Sequence, residues 1–235
     1  MQHRPEPMTP AAADEPGPEA PPDDDSGPTD HLRRGAPERV SGVVLAGGAS
    51  RRFGSDKLAA IVDQRPLLHN ALAAVASVTD ELIVVCGAAG LAPLPGDLGR
   101  RIRIVRDDEP GAGPLAALET GLRAAVESIA LVVGGDMPLL HATVLNLLVR
   151  RLELPYDACA LEAAGHCRPL PSALRRDPAL AAIQRVRLAG GSSLRALLEA
   201  LAVDLVAEDE WRALDPDGRT LIDIDSVEDL RFLAR

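Results

Sequence analysis

The stretch VSGVVLAGGASRRFGSDK, residues Val40–Lys57, joins a short β-branched run to a glycine-rich segment. The apolar run predicts a buried strand that ends at the first glycines. In open parallel sheets, ligands bind in the crevice beyond the carboxyl ends of the strands. If Val40–Lys57 opens such a sheet, its glycine-rich half lies where a ligand would bind.

The glycine-rich half has the composition of an anion site. Gly47, Gly48 and Gly54 would let the backbone approach a ligand and direct N–H groups toward it. Arg51 and Arg52 add positive charge. The segment contains neither G-x-x-x-x-G-K-[ST] nor G-x-G-x-x-G, so neither common phosphate motif describes it. An ordinary glycine turn with surface arginines is the alternative interpretation.

Lys57 favours the anion site, because the chain contains 24 arginines and only this one lysine. A lysine ammonium is a compact point charge on a flexible stem, whereas a guanidinium is a wide planar fork. The two groups are not equivalent where a narrow pocket must hold phosphate oxygens. The sequence therefore predicts a phosphate site that depends on Lys57.

Strands and helices alternate after residue 39. Apolar runs predict further strands at 81–87, 101–107 and 129–136, and helical spacing predicts helices at 66–78, 113–128 and 139–152. Two strands are expected at 157–163 and 167–176, at an antiparallel edge, and a capped helix at 190–201. A last strand at 219–225 and a final helix from Ser226, opened by S-x-x-D, complete the pattern. The predicted fold is a single α/β domain over residues 39–235, with three α/β/α layers and a mostly parallel, doubly wound sheet.

Residues 1–38 differ from the rest in composition. They hold nine of the 20 prolines and nine of the 35 acidic residues, and we expect a disordered tail. The net charge of −10 and the 2% aromatic content argue against a nucleic-acid partner. No apolar run reaches 18 residues, so we expect no membrane span. Three scattered cysteines favour a reducing cytoplasm.

Five motifs together resemble the nucleotidyltransferase family that includes molybdenum cofactor guanylyltransferase. They are LAGGASRRFGSDK (45–57), GPLAAL (113–118), GGDMPLL (134–140), RPLPSALRR (168–176) and LIDIDSVEDL (221–230). The resemblance implies a fold like that of the nucleotide-diphospho-sugar transferases. It also implies Mg²⁺-dependent transfer of GMP from GTP to the molybdopterin cofactor, with release of pyrophosphate.

The resemblance also assigns site residues. The catalytic residues would be Lys57, Arg52 and Asp136, and the metal ligands Asp136 and Asp225. The nucleotide would contact Leu45, Ala46, Gly47, Gly48, Lys57, Asp107, Gly113, Pro114 and Asp136. Partners would be GTP, the molybdopterin cofactor, and molybdoenzymes or other cofactor-biosynthesis proteins; the sequence does not predict an oligomeric state.

The residues alone leave several roles open. Asp136 follows a buried strand, where it could hold Mg²⁺ beside phosphates or cap the next helix. Asp223 and Asp225 would share one strand face, and Asp225 could hold metal or cap the last helix. Asp107 could face the nucleotide or close a turn. Alternative functions are a cytidylyltransferase for the same cofactor, a guanylyltransferase for another small phosphate, and a non-catalytic nucleotide- or cofactor-binding protein.

Overall fold

The computed structural model describes residues 1, 39–47, 57–62, 64–87, 91, 94, 102–226 and 228–230. The predicted tail, residues 1–38, therefore lies outside the described residues apart from Met1. So do the glycine-loop residues 48–56, which include Gly48, Gly54, Arg51 and Arg52.

The described residues form nine strands and six α-helices. The strands are β1 (Val40–Ala46), β2 (Ile61–Val62), β3 (Arg65–Pro66), β4 (Glu81–Cys86), β5 (Ile102–Arg106), β6 (Ile129–Gly134), β7 (Ala158–Ala163), β8 (His166–Arg175) and β9 (Val203–Val206). The helices are α1 (Leu67–Ala76), α2 (Pro114–Ala124), α3 (Ala142–Arg151), α4 (Arg176–Leu188), α5 (Leu194–Glu199) and α6 (Glu208–Arg212). Two 3-10 helices cover Lys57–Ala59 and Arg219–Leu221.

Seven strands form one sheet in the order β5-β4-β1-β6-β8-β7-β9. The strands β5, β4, β1 and β6 run parallel, so their carboxyl ends share one edge of the sheet. In register, Val44 of β1 lies between Val84 of β4 and Val133 of β6. Continuous apolar runs of this kind are typical of parallel strands covered on both faces.

Helices cover both faces of the sheet. Alternate residues of β1 point to opposite sides, so Val43 belongs to one buried cluster and Val44 to the other. One cluster includes Leu72 of α1 and Leu145 of α3; the other draws buried residues from α2, α4 and α5. The predicted three-layer α/β/α fold with a mostly parallel sheet is confirmed.

The second half of the sheet departs from the prediction at its edge. The expected strands β7 and β8 are present, and β8 runs antiparallel to β6 and β7. They do not form the edge, because β9 pairs in parallel with β7 outside them. The short β9 (Val203–Val206) was not predicted, and neither was α4.

The predicted last strand, 219–225, is wrong. Residues Arg219–Leu221 form a 3-10 helix that follows Gly218, which has a left-handed backbone with φ +67°. Residues 222–225 belong to no strand or helix, since both sides of β6 are already paired with β1 and β8. In this run, Ile224 N donates a backbone hydrogen bond to Asp136 O at 3.0 Å.

The predicted capping of the last helix is confirmed. Ser226 Oγ accepts a hydrogen bond from Asp229 N at 3.2 Å, and Asp229 Oδ2 accepts one from Ser226 N at 2.7 Å. This reciprocal pair is a capping box. Ser226 therefore supplies the cap, and the alternative role of Asp225 as the capping residue is wrong. Within the parts of the chain that the structure describes, no helix has both the length and the apolar character to cross a membrane.

Candidate active site

Lys57 lies between two carboxylates at the carboxyl edge of the parallel strands. Its Nζ donates hydrogen bonds to Asp136 Oδ2 at 3.0 Å and to Asp225 Oδ1 at 2.8 Å. The Lys57 side chain is 12% exposed, against 33% for Asp136 and 64% for Asp225. We call these three residues the Lys57 cluster. Asp136 and Asp225, which lie 79 and 168 positions after Lys57 in the sequence, thus meet at its ammonium group.

The end of β6 places Asp136. Gly135 N donates to Leu45 O at 3.0 Å, which ties the turn after β6 to the end of β1. A Cβ on Gly134 would lie 2.4 Å from Asp136 Oδ1, so only glycine leaves room for this carboxylate. The helix α3 begins at Ala142, with His141 at its N-cap. The alternative role of Asp136 as the cap of that helix is therefore wrong.

A buried polar contact places the segment that carries Asp225. The carboxylate of Asp215, which is 3% exposed, accepts a hydrogen bond from Thr220 N at 2.7 Å. Thr220 Oγ1 in turn accepts from His141 N at 3.1 Å. Ile224 is fully buried against Val62 and Leu67. The chain before Asp225 is thus fixed both to the loop after β6 and to the small β2–β3 sheet.

The charges of the Lys57 cluster support one another. Burial acts to lower the pKa of Lys57, but its hydrogen bonds to Asp225 and Asp136 and the negative charges of both carboxylates outweigh burial, so the pKa is raised. Lys57 is therefore an ammonium at neutral pH. Asp223 has a raised pKa because surrounding protein partly desolvates it and because Asp225 and Asp136 are negative. Lys57 hydrogen-bonds to Asp225, which identifies Asp225 as the second carboxylate of the cluster.

The loop after β5 lies at the same edge of the sheet. Asp107 N donates to Cys86 O at 2.8 Å, and the Asp107 carboxylate accepts from Glu109 N at 3.0 Å. Asp107 therefore closes a turn, one of the two roles left open for it. Gly113 has φ +99°, and a Cβ there would lie 3.0 Å from Ser192 O. Pro114 is the first residue of α2, where its missing N–H and fixed φ suit a helix start.

Leu45 and Ala46, two of the residues predicted to contact the nucleotide, are the last two residues of β1. Gly47 follows, and a Cβ on it would approach Gly87 N to 3.3 Å. Of the predicted site residues, the structure therefore brings Leu45, Ala46, Gly47, Lys57, Asp107, Gly113, Pro114, Asp136 and Asp225 to one edge of the sheet. Gly48 and Arg52 lie outside the described residues. The contributions of Asp215, Thr220 and Ser192 were not predicted. Thr220 and Ser192 contact residues far along the chain, His141 and Leu115, and no local pattern indicates such contacts.

The donor set suits a hard cation that arrives with a substrate. Among the described residues, no three His, Cys, Asp or Glu side chains come together to hold a metal by themselves. Mg²⁺ usually takes one or two carboxylates together with phosphate oxygens and water. Asp136 and Asp225 provide such a pair. The cysteines do not compete, since Cys86 and Cys159 are buried and desolvation raises the pKa of Cys159 to about 12.

Comparison with known proteins gives a consistent result. Residues 42–205 match the family model described as the MobA-like NTP transferase domain. The chain is 34% identical over 203 residues to a probable molybdenum cofactor guanylyltransferase of Chloroflexus aggregans, covering 83% of this chain and 93% of the relative. A probable molybdenum cofactor guanylyltransferase of Mycobacterium avium is 35% identical and covers 84% of this chain and 96% of its own length.

Solved structures share the fold. The molybdopterin-guanine dinucleotide biosynthesis protein A of Archaeoglobus fulgidus superposes with a TM-score of 0.66 at 21% identity, covering 82% of this chain and 96% of its own. The 4-diphosphocytidyl-2C-methyl-D-erythritol synthase of Anaerococcus prevotii reaches 0.62 at 16% identity, covering 83% and 94%. At these identities the structures speak for the fold alone. From the match over residues 42–205 and the two relatives at 34% and 35% identity, this chain belongs to the MobA-like NTP transferase domain family.

Proposed function

We propose that this protein transfers GMP from GTP to the molybdopterin cofactor and releases pyrophosphate. The observation that carries the proposal is the Lys57 cluster, in which one ammonium and two carboxylates converge at the carboxyl edge of the parallel strands. The family membership and the names of the relatives at 34% and 35% identity support this choice of reaction and substrates.

In the proposed reaction, a phosphate oxygen of the acceptor attacks the α-phosphorus of GTP. A new phosphorus–oxygen bond forms at the α-phosphate, the bond to the bridging α–β oxygen breaks, and pyrophosphate leaves with that electron pair. Such transfers depend mainly on positioning and on charge stabilisation. No nucleophilic side chain is required from the protein.

Lys57 would stabilise the negative charge that develops on the leaving pyrophosphate. Its flexible stem lets the ammonium turn from the carboxylates toward phosphate oxygens without moving the backbone. The N–H groups of the glycine-rich segment and the charge of Arg52 would support the same phosphates. These residues bind and orient the triphosphate.

We further propose that Asp136 and Asp225 hold Mg²⁺ when substrate is present. The metal would neutralise phosphate charge and polarise the α-phosphate. The two carboxylates fit this role because each accepts only one hydrogen bond from Lys57, so other oxygen lone pairs remain for a cation. The Lys57 ammonium offsets one of the two negative charges of the pair in the absence of ligand.

The test is pyrophosphate release with each of the four nucleoside triphosphates, with molybdopterin as acceptor and Mg²⁺ present. Product mass identifies the nucleotide transferred. We expect guanine to be preferred over cytosine, and we expect no release without the acceptor. An efficiency with CTP equal to or above that with GTP would instead support the cytidylyltransferase alternative.

A matched pair of variants distinguishes catalysis from binding. Asp136→Asn should abolish most turnover, whereas Asp217→Asn, which changes an exposed aspartate near the same segment, should not. If wild-type protein binds GTP but forms no product with any acceptor tested, the non-catalytic alternative is supported.

A further inference from the structure

Arg187, near the end of α4, joins two glutamates from different parts of the chain. Its guanidinium donates to Glu119 Oε2 on α2 and, at 2.5 Å, to Glu109 Oε1 in the loop between β5 and α2. The Arg187 side chain is 32% exposed. One guanidinium thus connects the buried face of a helix to an exposed loop at the candidate active site.

Glu119 fixes the position of Arg187. Its side chain is only 6% exposed, and it also accepts a hydrogen bond from Arg123 at 2.5 Å. A buried carboxylate is costly unless it is paired and hydrogen-bonded, so Glu119 holds both arginines in place. With one side of its fork fixed on Glu119, Arg187 presents the other side to Glu109 in a preset geometry.

The same part of the chain supports the far end of the loop. Ser192, in the α4–α5 connection, accepts a hydrogen bond through its carbonyl oxygen from Leu115 N at 3.3 Å. Gly113 packs against this carbonyl so closely that a Cβ would lie 3.0 Å from it. The loop is thus held at three places. The bond from Asp107 N to Cys86 O holds its start, the bond from Arg187 to Glu109 holds its middle, and the contacts with Ser192 hold its end.

The middle attachment, at Glu109, lies just before the glycines of the loop. Gly111 and Gly113 both have positive φ, +91° and +99°, and no residue that the structure describes lies within 4 Å of a Cβ on Gly111. A loop of this composition loses much conformational entropy when it is ordered. An ion pair at Glu109 restricts the loop before any ligand arrives, which lowers the entropy lost on binding.

We propose that Arg187 is a positioning residue that holds the Asp107–Pro114 loop in the conformation that binds the nucleotide. The inference rests on the proposed function for its ligand, GTP. It assigns no contact between Arg187 and the substrate. If this role is right, loss of the attachment should weaken nucleotide binding and should change little the rate at which the bound complex reacts.

The variant that tests this role is Glu109→Gln, which removes the negative charge from the loop attachment and leaves the buried Arg187–Glu119 pair intact. We expect the Kd and KM for GTP to rise about three- to fivefold, the range that one exposed ion pair supports, with kcat changed less than twofold. Amide hydrogen exchange over residues 108–112 should become faster, because the loop opens more often.

Glu199→Gln is the matched control. Glu199 is an exposed glutamate that also accepts a hydrogen bond from an arginine, Arg195 Nε at 3.1 Å on α5. Glu199→Gln makes the same change in charge and chemistry as Glu109→Gln. We expect it to change neither the affinity for GTP nor the amide hydrogen exchange over residues 108–112. A similar loss of affinity in both variants would mean that net charge, and not the loop attachment, is responsible.

A double-mutant cycle with Arg187→Gln completes the test, and melting curves show whether each variant is folded. In the Arg187→Gln background, Glu109→Gln should have no further effect on GTP affinity. Unchanged Kd, KM and loop exchange in Glu109→Gln would overturn the proposal. Wild-type protein that binds GTP and shows the expected exchange pattern, yet forms no product, would overturn the proposed function and leave the role of Arg187 supported.

Discussion

Two clusters in this molecule have the same formal composition, one cation shared by two carboxylates, and opposite construction. In the Lys57 cluster, the ammonium makes one hydrogen bond to Asp136 and one to Asp225. At the other end of the sheet, Arg151 of α3 makes two hydrogen bonds to Asp204 of β9, at 2.9 and 3.1 Å. It makes two more to Glu210 of α6, at 2.8 and 2.9 Å.

The two clusters differ in how many carboxylate oxygens remain without a hydrogen bond from the cation. The guanidinium fork engages both oxygens of each carboxylate, and all three residues lie on regular elements, so the Arg151 cluster is suited to hold α3, β9 and α6 together. The ammonium engages one oxygen of each carboxylate, and its residues lie just outside the strands. The Lys57 cluster therefore has the construction that the proposed function requires of a lysine that must turn from carboxylates to phosphates.

The largest effect should come from removing one carboxylate of the Lys57 cluster. Asp136→Asn is nearly isosteric, so the fold should persist while turnover falls about 10²- to 10³-fold, as for loss of one electrostatic stabiliser. Steady-state kinetics and a melting curve measure the two effects. Near wild-type turnover at ordinary Mg²⁺ would show that Asp136 has no part in the reaction.

The next effect tests whether the Lys57 cluster needs the shape of lysine or only its charge. Lys57→Arg should lose nearly as much activity as Lys57→Ala, because the wide planar guanidinium displaces neighbouring oxygens. A misplacement of about 1 Å can reduce the rate on the order of 10²-fold. The measurement is kcat/KM for both variants; an arginine variant that keeps most activity beside an inactive alanine variant would contradict the argument.

Asp215→Asn should affect stability through the segment that carries Asp225. Asp215 lies in a partly desolvated site, which acts to raise its pKa, but hydrogen bonds from Thr220 and Arg219 outweigh this and lower the pKa below the ordinary 3.8. Losing the charge-assisted bonds should lower the free energy of unfolding by about 1–2 kcal/mol at pH 7.

The pH dependence distinguishes this charge effect from a packing defect. A lowered folded pKa gives stability that is fully present above the unfolded value and is lost as the pH falls through the folded pKa. Urea unfolding should therefore show a constant difference between wild type and Asp215→Asn from pH 7 to about 5. The difference should shrink below 3.8; one that persists unchanged in acid would indicate packing.

The smallest effect should come from replacing arginine with lysine in the Arg151 cluster, the reverse of the Lys57→Arg substitution. Arg151→Lys keeps the charge but loses the paired hydrogen bonds, and we expect the free energy of unfolding to fall by about 1 kcal/mol or less, since the side chain is partly exposed. Activity should stay within twofold of wild type. A larger loss of activity than of stability would show that the two clusters are coupled across the sheet.

The parallel half of the sheet could be predicted from the sequence because its strands are continuous apolar runs separated by clear helices. The failures lie where pairing is decided by distant residues. Val203–Val206 forms a strand because it pairs with β7. A segment of four residues so soon after α5 is too short for its apolar pattern to predict a strand. The alternating run 219–225 has the pattern of a strand, but β1 and β8 already occupy both sides of β6.

The candidate site was predictable in its residue types and less so in its contacts. Lys57 and Asp136 follow from their positions after β1 and β6, where parallel strands place ligands. The meeting of Lys57 with Asp225 depends on Ile224 packing beside β2 and β3 and on Thr220 reaching the loop after β6. No local pattern encodes either contact, and the family resemblance supplied what spacing could not.

The position of Asp225 along the chain has a consequence for how the site is made. Every strand of the sheet is complete by Val206, whereas the second carboxylate comes 19 residues later. Since ribosomes add about 5–20 residues per second from the N terminus, the sheet emerges before the partner that Lys57 needs. A chain cut between Val206 and Asp225 would therefore retain the residues of the whole sheet and lack half of the carboxylate pair.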